Sequence, residues 1–232
     1  MDFTFLKFES QTALADALAA RIAKMLRGAI SKRGYASLVV SGGTTPVPMF
    51  AALSQVDLEW DNVLISLVDE RWVNITEKDS NENLVRTHLL RNKAAAAGFI
   101  GMKTGAATAS AGEKECAARL NRIPMPFDII VLGMGKDGHT ASLFPRAARL
   151  SAAVDMASNR ICMAIAPARA AHERMTLTLP AILNSREIIV HISGQVKMKV
   201  YEKAITEGLS EEMPIRYVLR QTKVPVTVFW AP

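Results

Sequence analysis

From residue 10 to residue 32, the apolar residues Leu14, Leu18, Ile22, Met25, Leu26 and Ile30 recur three or four positions apart, which predicts an amphipathic helix capped by Gly34. The period changes after that glycine. Residues 35–40 form a short apolar run, partly β-branched, that reads as a buried strand, and residues 41–45 form a glycine-bearing loop leading to a helix with Pro46 in its first turn. The alternation continues with a strand at residues 63–68, helices at 80–90 and 111–122, and a strand at 127–132. Further strands are predicted at 161–165, 187–192 and 226–230, with a helix at 195–207 between the last two. Residues 94–97 and 105–112 read as loops or helix ends. Strands separated by helices imply an α/β fold, a mostly parallel sheet with helices on both faces in a modified Rossmann-like, three-layer αβα arrangement. No repeat or low-complexity linker interrupts the pattern, so residues 1–232 are expected to form one domain.

Half of the 232 residues are hydrophobic, enough for a sizeable core. Met25, Met49, Phe50 and Trp60 fall on apolar faces and are assigned to it. Cys116 and Cys162 are far apart in sequence and outside any metal-ligand spacing, so they are read as small buried hydrophobes rather than a disulfide or a zinc site. Asp2, Lys7 and Glu9 interrupt the start of the chain as no secretory segment would allow, and no apolar run reaches a membrane-spanning length; a cytoplasmic protein is expected. The net charge of +6 comes from scattered basic residues, which suits attraction of a small anionic substrate. Nucleic-acid binding would require clustered basic residues with interleaved aromatics.

Ligands of open parallel sheets bind beyond the carboxyl ends of the strands, and four polar loops are expected to meet there. The loop at residues 41–45 presents backbone N–H groups of Gly42, Gly43, Thr44 and Thr45 ahead of a helix, an arrangement suited to phosphate. Asp69-Glu70-Arg71 follows a second strand, and Gly133 to Thr140 a third. The fourth loop carries Gly194 and Lys197, and Arg71, Arg174 and Lys197 supply the cations that a phosphate dianion needs. His139, inside the glycine loop beside Asp137, is the candidate proton carrier, because an imidazole ordinarily titrates near neutral pH. His88 is read as exposed, His191 as core or rim, and His172 as a group that could line the cleft.

Two rival readings use the same loop. Gly133, Gly135 and Gly138 match the spacing of a dinucleotide fingerprint with Asp155 downstream, although such a loop normally sits in the first strand–helix unit. Asp137, His139 and Ser142 suggest a hydrolase triad, but three residues in one short loop are poorly placed for the required head-to-tail geometry, and no Gly-x-Ser-x-Gly elbow exists.

Taken in order, these segments resemble the 6-phosphogluconolactonase family, within the wider glucosamine-6-phosphate isomerase and lactonase superfamily. Ser41-Gly42-Gly43-Thr44-Thr45-Pro46 is similar to the family's phosphate loop, Asp69-Glu70-Arg71-Trp72-Val73 to its acidic loop, and Ser80-Asn81 to the pair that follows. Residues 133–145 resemble its signature loop, Arg174-Met175-Thr176-Leu177-Thr178 its arginine strand, and Gly194 with Lys197 its late lysine. The resemblance implies hydrolysis of 6-phospho-D-glucono-1,5-lactone in the oxidative pentose phosphate pathway. Catalysis would fall to His139, Asp137, Asp69 and Arg71, and phosphate binding to Gly42, Gly43, Thr44, Thr45, Arg174 and Lys197. It implies a small phosphorylated sugar lactone as partner, with no cofactor, metal, nucleic acid or membrane; a monomer is compatible, and the oligomeric state is left open. Amino-sugar isomerases of the superfamily carry an acidic residue in the segment that here reads Ala141-Ser142-Leu143-Phe144-Pro145, where this chain has no carboxylate, so their ring-opening proton relay would be incomplete; the deaminase is kept as the alternative, followed by a non-catalytic sugar-phosphate sensor. Asn74 stands where the lactonase pattern commonly has proline.

Overall fold

The computed structural model describes residues 3–167 and 171–232; Met1 and Asp2, from the charged start of the chain, lie outside them. In chain order the first half runs β1 (Phe3–Lys7), α1 (Gln11–Arg33), β2 (Ala36–Val40), α2 (Val47–Ser54), β3 (Val63–Leu67), β4 (Asp69–Arg71), α3 (Asn81–His88), β5 (Gly98–Ile100) and α4 (Ala109–Leu120). The second half runs β6 (Ile129–Leu132), α5 (Leu150–Val154), β7 (Cys162–Ile165), β8 (Arg174–Leu177), α6 (Leu179–Leu183), β9 (Ile188–Ser193), α7 (Gln195–Ile205), α8 (Ile215–Leu219) and β10 (Val226–Ala231). Seven strands form one sheet in the order β1-β10-β9-β6-β2-β3-β5, and each neighbouring pair is parallel. Helices pack around this sheet, as the alternating pattern implies.

Local chemistry explains the main elements. Helix α1 starts where the Ser10 hydroxyl accepts from the Ala13 amide at 3.1 Å and stops where Gly34, at φ 80°, returns its N–H to the Ile30 carbonyl. Its apolar stripe is buried against β2 and β10. All five residues of β2 are buried, as befits a strand flanked on both edges and covered on both faces. Met49, Phe50 and Trp60 lie in the core, with Met25 at its margin.

The structure differs from the sequence pattern in instructive places. Strand β7, expected within the alternating parallel series, belongs instead to a separate antiparallel sheet in the order β4-β8-β7. An apolar run announces burial, not its partner. Asp69–Arg71, read as a loop, is a short strand of that sheet, and β1 and β5 were not foreseen. Gly112 lies inside α4, which begins at Ala109 behind a Thr108 cap, and Ala94 lies in a 3₁₀ turn at Asn92–Ala96. The two cysteines are free and buried, yet α4 and β7 bring their side chains into contact.

Candidate active site

Strands β9, β6, β2 and β3 are consecutive in the sheet and run the same way, so the loops after them open at one end. They surround a cleft of about 440 Å³. Gly42, Gly43, Thr44 and Thr45 line it together with Asp69, Arg71, Arg174, His139 and Lys197. Asp137 alone among the expected site residues does not line the cleft; it contacts His139 from outside.

Among the described residues, none of the amides of residues 42–45 donates to a protein acceptor. Helix α2 starts at Val47, one residue later than expected, with Pro46 at its N-cap, so these amides lie just ahead of the helix. Four free donors in succession are the raw material of an anion-binding concavity. The loop is fixed to its neighbour: Ser41 Oγ accepts from the Gly133 amide at 3.0 Å and the Ser41 amide donates to the Val131 carbonyl at 2.9 Å. A side chain at Gly42 is excluded, because its Cβ would fall 1.9 Å from Asn81 Oδ1.

The arginines are paired across the small sheet. Antiparallel register sets Arg71 opposite Arg174, a like-charge pair that disfavours itself unless an anion lies between. Burial, and then the charge of Arg71, push the Arg174 guanidinium below its ordinary pKa, and its Nε is buried without a partner. Arg71 is steered by the Asp79 carbonyl at 2.6 Å and Asn81 Oδ1 at 2.7 Å. Asn81 is in turn placed by Glu70, whose fully buried carboxylate accepts from the amides of Arg71, Asn81 and Glu82 and from the Ser80 hydroxyl. Burial pushes the Glu70 carboxyl up, and those four donors oppose the shift. Neither Glu70 nor Asn81 was among the expected site residues; the signal available was a Ser-Asn pair opening a helix downstream of an acidic strand end.

In the loop after β6, Asp137 Oδ1 lies 2.6 Å from His139 Nδ1 and also accepts the His139 amide at 3.1 Å. Burial works to raise the Asp137 carboxyl, but its bonds and charge interaction with His139 prevail and hold it at about 2. Gly135 is required beside this pair, since a Cβ there would fall 2.1 Å from His139 Nδ1. The Phe144 ring packs on the imidazole at 4.4 Å between centroids. Lys197 Nζ donates to the Met134 carbonyl; burial lowers its pKa while Asp137 opposes the shift. Asp69 is held by Ser142, whose hydroxyl donates to Oδ2 at 2.6 Å, and this engagement accounts for Ser142 without a triad.

The dinucleotide reading fails on geometry. After Gly138 the chain folds back, with Gly138 donating to the Gly135 carbonyl and Gly135 to the His139 carbonyl, and the next helix is α5. The helix N-terminus that would receive a pyrophosphate is therefore missing from this loop. His88 is half-buried rather than exposed. His172 pairs with Asp79 at 3.4 Å outside the cleft, whereas His191, read as core or rim, is buried and lines the cleft. Asn74 orders its own turn by accepting from the amide and hydroxyl of Thr76.

Known proteins share this chain's sequence pattern and fold. A family model described as glucosamine-6-phosphate isomerases/6-phosphogluconolactonase matches residues 9–230. The chain belongs to this family. Among its members, a 6-phosphogluconolactonase of Mesorhizobium japonicum is 44% identical over 225 residues, covering 97% of this chain and 94% of that one. One from Pseudomonas aeruginosa is 41% identical, covering 94% and 90%. The crystal structure of a 6-phosphogluconolactonase from Shewanella baltica superposes with a TM-score of 0.97 at 47% identity, covering 100% of this chain and 98% of that chain. A monomeric glucosamine-6-phosphate deaminase, 17% identical, shares the fold with a TM-score of 0.80. The family's two activities thus share one scaffold, and the site must distinguish them.

Proposed function

We propose that this chain, acting as a single domain, hydrolyses 6-phospho-D-glucono-1,5-lactone to 6-phosphogluconate, a step of the oxidative pentose phosphate pathway in the cytoplasm. The observation that carries the reading is the meeting, in the lining of one cleft, of a loop with four free amides and three cationic side chains with a carboxylate-held imidazole. Relatives named for this activity, at more than 40% identity over nearly the whole chain, support it.

The phosphate is the handle. The amides of residues 42–45, with Arg71, Arg174 and Lys197, hold it, and that remote binding energy sets the lactone carbonyl before His139. Asp137 on Nδ1 leaves Nε2 of a neutral imidazole as the proton acceptor. Water adds to the carbonyl carbon as Nε2 takes its proton; the tetrahedral intermediate collapses with cleavage of the bond to the ring oxygen, which receives that proton and leaves as a hydroxyl. The carboxylic acid so formed ionises. Asp69, fixed by Ser142, is assigned to orienting a substrate hydroxyl. No carboxylate occupies residues 141–145, and the Phe144 ring packs on His139 instead, so the second acid–base group expected of an amino-sugar isomerase is missing from that segment.

Parallel assays test the assignment. Purified protein is expected to accelerate disappearance of freshly made lactone and to release no ammonia from glucosamine 6-phosphate. Ammonia release without lactone opening would assign the deaminase reaction, and ligand binding without either turnover would assign a sensor.

A further inference from the structure

Two buried side-chain atoms among the described residues lack a hydrogen-bond partner, Arg174 Nε and His191 Nδ1, and both residues line the same cleft. Burying an imidazole nitrogen without a partner costs on the order of 1–3 kcal/mol, so in a settled core such a group is paired. Arg174 has an evident purpose in the anion-binding wall. His191 has none so far. It sits in β9, paired in register with Phe229 of β10, 5% exposed, at the floor of the cleft rather than on its rim. The other strand residues that line the cleft, Ile192, Val131 and Leu132, are aliphatic.

The chemistry of that position narrows what it can meet. An imidazole so deeply buried is held neutral, and a phosphate dianion would demand a charged donor there. The cations that could neutralise a dianion stand elsewhere, on β4, β8 and α7. Nδ1 itself is sealed from solvent, so the nitrogen that can meet a ligand is Nε2, which likewise makes no hydrogen bond among the described residues; a neutral imidazole nitrogen is matched by a neutral hydroxyl, which can donate to it or accept from it. We propose that His191 is a positioning residue that hydrogen-bonds a hydroxyl on the sugar part of the ligand, and so distinguishes a polyhydroxylated phosphate ester from phosphate alone. The proposal rests on the sugar-phosphate reading of the cleft, deepening it from the phosphate to the body of the substrate.

Binding and turnover of three proteins decide it: the wild type, His191→Leu and His191→Asn, each titrated calorimetrically with 6-phosphogluconate and separately with inorganic phosphate. In the leucine variant the Kd for 6-phosphogluconate is expected to rise roughly tenfold, the cost of one unmatched hydroxyl, with the Kd for phosphate unchanged. Asparagine, whose amide offers a donor and an acceptor close to the backbone, should recover most of that loss. With the lactone as substrate, KM should rise by a similar factor while kcat changes less than about threefold, because the contact exists in both ground and transition states. The leucine variant should also melt at a higher temperature than the wild type, since it removes an orphaned polar group. A histidine that merely supports the fold would give the opposite, a lower melting temperature and equal loss for both ligands. Unchanged binding of both ligands, or equal weakening of both, would overturn the proposal. Absence of lactone turnover in the wild type would instead remove the enzymatic reading, leaving the binding comparison to judge His191 by itself.

Discussion

At the scale of single residues, the site separates holding from reacting, and substitutions should separate them too. Asp137 does not line the cleft and touches the ligand only through His139, so Asp137→Asn should lower kcat at least tenfold, a part of the roughly 10²- to 10⁴-fold attributed to positioned acid–base groups, with KM little changed. Steady-state kinetics on the lactone would check this. Because the carboxyl is held at about 2, it stays ionised well into acid, and loss of activity in mildly acidic buffer cannot be its protonation. Arg174→Ala should act in the other sense. Deleting a half-buried guanidinium with an unpartnered Nε should reduce kcat/KM roughly ten- to hundredfold, mainly through KM, and inorganic phosphate should inhibit the variant less than the wild type. If both substitutions changed only kcat, the anion-binding wall would be misassigned.

At the scale of elements, the first turn of α3 carries more of the site than its sequence suggests. Glu70 uses both carboxylate oxygens to accept from four donors, two on each, so Glu70→Gln must set an amide NH₂ against two of them whichever way it flips. A stability loss of about 1–3 kcal/mol is expected in urea unfolding, together with a raised KM, because Asn81 and Arg71 are set by that turn. A loss of stability with unchanged KM would confine Glu70 to the fold. This element also shows where sequence reading reaches its limit. Long helices such as α1 and the central strands β2, β6 and β9 declare themselves through period, caps and β-branched runs. Strand β4 consists of Asp, Glu and Arg, and only its pairing with β8 makes it a strand. The glycine loops were legible because close approach leaves a mark in composition, as at Gly42 and Gly135. His191 was not, since an alternating position in a strand looks the same whether the side chain meets the core or the floor of a cleft.

For the whole molecule, the same histidine ties stability to pH. Its pKa falls from an ordinary 6.5 to about 4 because burial disfavours the charged form. Between those values the unfolded chain binds a proton that the folded chain does not, so the stabilisation is complete above about pH 6.5 and lost as pH falls towards 4. This group alone should cost about 2 kcal/mol between pH 7 and 5, read from urea midpoints, and His191→Leu should flatten that slope. A slope of the same size in the leucine variant would place the acid sensitivity elsewhere. Asp137 has the same sign in a more acidic window, its contribution being lost as pH falls from 3.8 to about 2. The parallel order β9-β6-β2-β3 accounts for why loops scattered from residue 41 to residue 197 form one site, and because that order is not written along the chain, their chemistry was legible there but their proximity was not. The most direct test of the account is a progress curve on freshly prepared 6-phosphogluconolactone, corrected for spontaneous opening, with wild type and His139→Ala compared at equal concentration. Saturable acceleration by the wild type, reduced roughly 10²- to 10⁴-fold in the variant, is the expected result; acceleration that survives intact in His139→Ala, or none from the wild type, would contradict it.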